Sequence, residues 1–198
     1  MAGLRAEDLR VGAAYDRNRA EARAESIELR RRRRVQIGGL VSIVFENRDT
    51  LRAAAEEGLR AERLEGAAEV AAEAGRFQSL LPAPGTLAAS FYLEVSDPHD
   101  LTGLSPDLDG LAAGVYVEVA GARTAGEVAP SPAPSPAAYL RFPLTTAQRE
   151  AWLEGAPVRV GVSHPRCTAT VDLSDEQRAA VAVDLRTGPG AGGRPADA

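Results

Sequence analysis

Near residue 86 the spacing of apolar side chains changes from about 3.6 residues to 2, and with it the kind of element the chain can form. Before that point, Leu51, Ala55, Gly58 and Leu59 make one stripe, flanked by Arg52, Glu56, Glu57, Arg60 and Arg63. This predicts an amphipathic helix from about Thr50 to Leu64, capped by Asn47 or Asp49. Gly58 costs about 1 kcal/mol relative to Ala in a helix interior, so a close neighbour is expected there. A second helix is expected from Ala67 to about Leu80, stopped by Pro82 and Pro84. The segment Leu4 to Arg34 has sparse apolar residues (Leu4, Leu9, Ile27, Leu29) and reads as two helices divided near Val11 to Asp16, packed on another layer. Val35 to Phe45 turns β-branched around Gly38 and Gly39, predicting strand, bulge or turn, strand.

After residue 86, alternation returns five times: Leu87, Ala89, Phe91, Leu93 and Val95; Val115, Val117 and Val119; Ala138, Leu140 and Phe142; Val158, Val160 and Val162; Cys167, Ala169, Val171 and Leu173. One apolar face per strand suits a mainly antiparallel sheet. Thr145 or Thr146 opens a short helix through Trp152 that Gly155 can end, and Ser174 with Gln177 forms a capping box for a last helix to Leu185. The expected class is α+β: amino-terminal helices packed on a mainly antiparallel sheet, with a short carboxy-terminal helix. Residues 1–186 form one domain in this reading, mostly helical over 1–85 and mostly β over 86–186. Ala129 to Pro136 is expected to be a proline-rich spacer, and 187–198 a disordered tail.

Composition removes several function classes. All 23 basic residues are Arg, so there is no Schiff-base lysine, P-loop lysine or lysine general base. Cys167 is the single cysteine, which forbids an internal disulfide and any multi-Cys zinc or iron–sulfur site built from this chain alone. The longest apolar stretch, Ile37 to Phe45, is diluted by two glycines and a serine and falls short of the roughly 18 residues of a membrane span. The start, MAGLRAEDLR, lacks an apolar signal region, so a cytoplasmic location is expected. G-x-S-x-G and H-E-x-x-H are absent.

Three groups of residues could carry chemistry. The run Arg30 to Arg34 could meet phosphates, but it lacks interleaved aromatics, and Glu21, Glu25 and Glu28 lie within helical reach. Solvated or ion-paired arginines are the better expectation, and nucleic acid is not an expected partner. Glu46, Arg48, Glu56, Glu57, Arg60, Glu62 and Arg63 lie at a strand end and on the helix after it, where Arg52, Glu56, Arg60 and Arg63, spaced by four, four and three, share one face. There Glu46 or Glu57 could serve as acid or base, with Arg48, Arg60 and Arg63 holding an anionic substrate. The competing reading is a surface ladder of i,i+4 ion pairs. His164 and Cys167, in SHPRC, could hold a single metal ion or pair as base and nucleophile, against a buried structural cysteine. His99 reads as a turn residue beside Pro98.

Tyr15, Arg19 and Arg23, then Arg33, Arg34, Val35 and Gly38, then FENRDT at Phe45 to Thr50 form a spaced series. It continues with Glu57, Arg60, Glu62, Leu81, Pro82 and His164–Pro165. In this series the chain resembles a bacterial family, the domain of unknown function 3501 family, with FENRDT the most specific part. Members are often encoded beside rubrerythrin-like proteins and iron–sulfur oxidoreductases. The resemblance therefore implies an accessory or docking component of an iron-dependent redox or oxidative-stress system, with such a protein as partner. The alternative is a small-molecule enzyme, with or without a metal, whose Glu/Arg pocket lies between Glu46 and Arg63. Alanine-rich helices with few large apolar residues are also compatible with a homodimer.

Overall fold

The computed structural model describes residues 3–94, 108–130 and 138–186. The end of the expected first strand at Val95, His99, residues 131–136 of the spacer and the tail 187–198 lie outside the described residues. The protein is α+β. An amino-terminal arm carries a 3-10 turn (Ala6–Asp8) and the short helix α1 (Gly12–Asp16), followed by α2 (Arg19–Arg31). Then come the hairpin β1 (Arg34–Ile37) and β2 (Val41–Glu46), and the helices α3 (Arg48–Glu62) and α4 (Ala67–Gln78). The remainder is β3 (Thr86–Leu93), α5 (Leu108–Ala113), β4 (Val115–Val119), β5 (Ala122–Ala125), β6 (Glu127–Ala129), β7 (Ala138–Pro143), α6 (Thr146–Leu153), β8 (Val158–His164), β9 (Cys167–Asp172) and α7 (Asp175–Arg186). Among the described residues no helix is long and apolar enough to cross a membrane.

The strands divide into two antiparallel sheets rather than the single one expected, ordered β1-β2-β3-β7-β6 and β5-β4-β8-β9. Their apolar faces share one core: Ile43, Phe45, Phe91 and Phe142 from the first sheet meet Val117, Val160 and Val162 from the second. Trp152 of α6 and Val181 of α7 close one side. The Phe45 ring lies 6.4 Å from Phe142 and meets Trp152 edge-on at 6.5 Å. A separate apolar cluster joins Leu4 and Leu9 of the arm to Ala55 and Leu59 of α3 and Val70 and Ala74 of α4.

The expected local signals form. Gly38, at φ 61°, turns β1 into β2 with Val35 opposite Ile43. Asn47 caps α3, its side chain accepting from the Asp49 and Thr50 amides at 3.0 Å each while Thr50 Oγ1 accepts from the Asn47 amide at 2.8 Å. Thr145 caps α6 and Ser174 caps α7 through the same box with Gln148 and Gln177. At Gly58 a Cβ would stand 3.2 Å from Glu73 Oε1 of α4, the close neighbour its presence in a helix predicted.

Several expectations are corrected. The amino-terminal break falls at Arg17–Asn18, not across Val11 to Asp16, because Tyr15 is buried and its turn forms α1. Of solvated or ion-paired, Arg33 is the latter, and inside the protein rather than on a helix face: α2 has ended, and the side chain is 2% exposed, donating to the Phe45 and Ala180 carbonyls at 2.7 and 2.8 Å and pairing with Asp184 of α7. Helices cover the outer face of the first sheet, so every residue of β2 is buried, and with them Ala88 and Ser90 of β3, which alternation placed away from the core. The short α5, β5 and β6 were not expected.

Candidate functional site

The arm and α3 are joined by a series of charged contacts running along both in the same direction. Arg48 pairs with Asp8 at 2.8 Å near the start of α3. Two turns on, Glu56 is buried and accepts from Arg10 three times: the backbone amide and Nε on Oε1 at 3.0 Å each, and Nη2 on Oε2 at 2.8 Å. Glu57 accepts from Tyr15 Oη at 2.7 Å and from Arg19 Nε and Nη2 at 3.0 Å each. Arg60 Nε donates to Asp16 at 2.8 Å. Both arginine–glutamate pairs are bidentate forks, the strongest geometry for this chemistry.

These contacts set the protonation of the groups involved. The Arg19 hydrogen bonds hold the Glu57 carboxyl below the usual carboxylate range, with Tyr15 adding to the effect and burial opposing it. Burial pushes the Tyr15 hydroxyl up to about 12, and its hydrogen bond to the charged Glu57 adds to this. Glu57 is thus an ionised acceptor at neutral pH with both oxygens engaged, and Tyr15 is a neutral donor.

Glu46 stands elsewhere, at the end of β2 on the face turned toward α2. One oxygen accepts from Ser90 Oγ at 2.6 Å, and Arg30 of α2 approaches only to 3.8 Å while donating to Tyr92 Oη at 3.4 Å. Glu46 Oε2 is buried without a hydrogen-bond partner. A buried charge this incompletely matched costs stability unless something else meets it.

A cleft of 250 Å³ lies between α2 and α3. Ala22 and Ser26 on one helix and Ala53 on the other are too small to close it, and Arg10, Glu25, Asp49, Arg52 and Glu56 supply its charge. Arg52 Nε is buried without a partner, and the Arg52 Nη2 contact to Asp49 is long, at 3.7 Å.

The five residues singled out from the sequence therefore do not converge. Glu46 meets Ser90 and Arg30; Arg48 meets Asp8; Glu57 meets Tyr15 and Arg19. Arg60 and Arg63 line a different depression beside Gly12, Asp16 and Glu65, where Arg63 ends α3 at φ 58°. The cleft residues Arg52 and Glu56 were visible as an i,i+4 pair on the helix, whereas Arg10, 46 residues from Glu56, carried no sequence signal for its role. His164 and Cys167 are the cross-strand pair beside the Pro165–Arg166 turn that joins β8 to β9. His164 Nδ1 accepts from the Arg166 amide at 3.3 Å, the ring edge lies over Gly110 of α5, and Cys167 packs half-buried against the core. Among the described residues no group of three or more His, Cys, Asp or Glu is placed to hold a metal ion.

A family model described as Protein of unknown function (DUF3501) matches residues 3–185. The chain belongs to the DUF3501 family. Its fold is similar to that of a crystal structure titled as a novel protein of unknown function from Burkholderia pseudomallei K96243. The two are 24% identical, the match covers 93% of this chain and 100% of the other, and the TM-score is 0.85. No curated protein matches. In this DUF3501 chain, residues that carried the resemblance make the clamps just described: Tyr15 and Arg19 hold Glu57, Arg33 ties β2 to α7, and Asn47 with Thr50 caps α3.

Proposed function

We propose that this DUF3501 protein is a binding component rather than an acid–base enzyme: an accessory or docking component of an iron-dependent redox or oxidative-stress system. The observation that carries the first part is the state of the α3 carboxylates. Glu56 and Glu57 each have both oxygens occupied by a bidentate arginine, and Glu57, held ionised by Arg19, neither donates nor collects a proton near neutral pH. They fasten the arm to the helix. The redox setting rests on the genomic company implied by family resemblance, which points to a rubrerythrin-like protein or an iron–sulfur oxidoreductase as partner. Co-purification from the native host tests it. Tagged protein is expected to retain such a partner at moderate salt, and recovery of the chain without any redox protein overturns the reading.

One observation favours a second reading, a small-molecule enzyme using Glu46. Its Oε2 is buried without a partner, and Arg30 stands 3.8 Å from the other oxygen, the arrangement of a base next to an anion-holding cation. Under this reading, Glu46→Gln abolishes turnover in a substrate screen while circular dichroism stays unchanged. Turnover that survives the substitution removes Glu46 from the chemistry.

A further inference from the structure

Three arginines of one patch face carboxylate chemistry, and two of them are satisfied. Arg10 and Arg19 each offer the Nε/Nη2 edge of the guanidinium to a glutamate. On Arg52 the same edge is unmatched: Nε is buried without a partner, and Nη2 has only its 3.7 Å contact to Asp49. That edge matches the two oxygens of a carboxylate, and a buried donor left unmade is costly, so the geometry asks for an acceptor.

The rest of the cleft narrows what that acceptor belongs to. Arg10 and Glu56 neutralise each other, leaving Arg52 against Glu25 and Asp49. A simple anion would reach the arginine against an excess of negative charge, while a simple cation would leave the arginine donor unmet. A ligand carrying both charges answers both. At 250 Å³ the cleft is smaller than the roughly 300–1,000 Å³ of sites for drug-sized ligands. Its volume corresponds to about eight waters at their liquid share of about 30 Å³ each. Ser26 adds a hydroxyl to the α2 wall.

We infer that the cleft between α2 and α3 binds a small amino-acid-like zwitterion, its carboxylate on the Arg52 edge and its ammonium group against Glu25 and Asp49. This site is independent of the docking role, and a failed co-purification leaves it standing.

Isothermal titration calorimetry on the full chain decides it, with glycine and L-alanine as probes and acetate and ethylamine as the separate halves. At least one amino acid should saturate one site per chain, with each half about tenfold weaker or worse because it leaves one charge of the cleft unmet. Arg52→Gln should weaken the amino acid about tenfold or more, and Arg52→Lys should not restore it because lysine lacks the fork. Arg159→Gln, on β8 in the other sheet, should change nothing. Circular dichroism and the urea midpoint establish that each variant is folded. Acetate binding as tightly as L-alanine, an affinity unmoved by Arg52→Gln, or failure of both amino acids to saturate would each overturn the inference.

Discussion

The sandwich between the two sheets and the layer formed by the arm, α2 and α3 are held by different physics. Inside the sandwich Phe45, Phe91, Phe142, Trp152 and a set of valines are almost wholly removed from water, and the stabilising force is non-directional burial. In the helical layer α2 has no buried residue at all, and beside the small apolar cluster of Leu4, Leu9, Ala55 and Leu59, the arm and the start of α2 are tied to α3 by forks and hydrogen bonds. Apolar burial tolerates variation in partner as long as volume is kept, whereas a bidentate fork demands one partner in one orientation. The layer is thus the part of the molecule where single polar substitutions have specific, local consequences. It is also the part that holds the open cleft.

The largest effect is expected in the sandwich. Phe45→Ala removes a ring that touches both Phe142 and Trp152 and leaves a cavity at the centre of the core. The expected loss is about 3–5 kcal/mol, read as a fall in the urea midpoint without a change in slope. A loss below about 1 kcal/mol would mean that the core relaxes around the gap and that the contrast with the helical layer is overstated.

A smaller and more local effect is expected from Glu56→Gln. Its carboxylate is 1% exposed and takes three donors from Arg10, whose own side chain is 39% exposed and keeps access to water. The expected global cost is about 1–3 kcal/mol. The arm should also detach ahead of the sandwich, seen as faster trypsin cleavage at Arg10 and Arg17 with the β-sheet signal intact. Cleavage and global unfolding that stay locked together would show that arm and sandwich are one cooperative unit.

The two regions also differ in how far the sequence revealed them. Period-2 alternation located five strands because burial acts on each side chain separately and leaves its trace residue by residue. It could not show that those strands divide between two sheets, since pairing is set by which backbone edges meet. Nor could it show that β2 is buried on both faces, because the helices covering it follow from tertiary packing. At the site, FENRDT and the charged face of α3 were legible, and Asn47 caps as its residue type suggests. Which arginine meets which glutamate was not: Arg10 with Glu56 and Arg19 with Glu57 span 46 and 38 residues, and charge patterns report only helical neighbours. Arg60, grouped with Arg52, Glu56 and Arg63 by helical spacing, turns instead to Asp16. Arg33 sat within a run read as solvated or ion-paired, and because α2 ends two residues earlier, at Arg31, it folds inward to its partner Asp184.

The finest test of the contrast is the pH dependence of Glu57→Gln. Arg19 lowers the folded carboxyl below its unfolded value of about 4.3, so the folded state binds the proton more weakly than the unfolded one does. The charge on Glu57 therefore contributes stability above that unfolded value, and the contribution is lost as pH falls through the folded one. With Glu57 36% and Arg19 27% exposed, water screens the pair and the contribution is small, roughly 0.2–1 kcal/mol. Wild type should thus exceed Glu57→Gln by a constant margin from pH 7 to pH 5, with the gap closing toward pH 3 in matched urea titrations. Phe45→Ala, measured alongside, should keep its deficit across the same range, because burial of a ring has no proton to exchange. A Glu57 margin that persists at pH 3 would mean that shape and hydrogen bonding to Tyr15, rather than charge, hold the arm to α3.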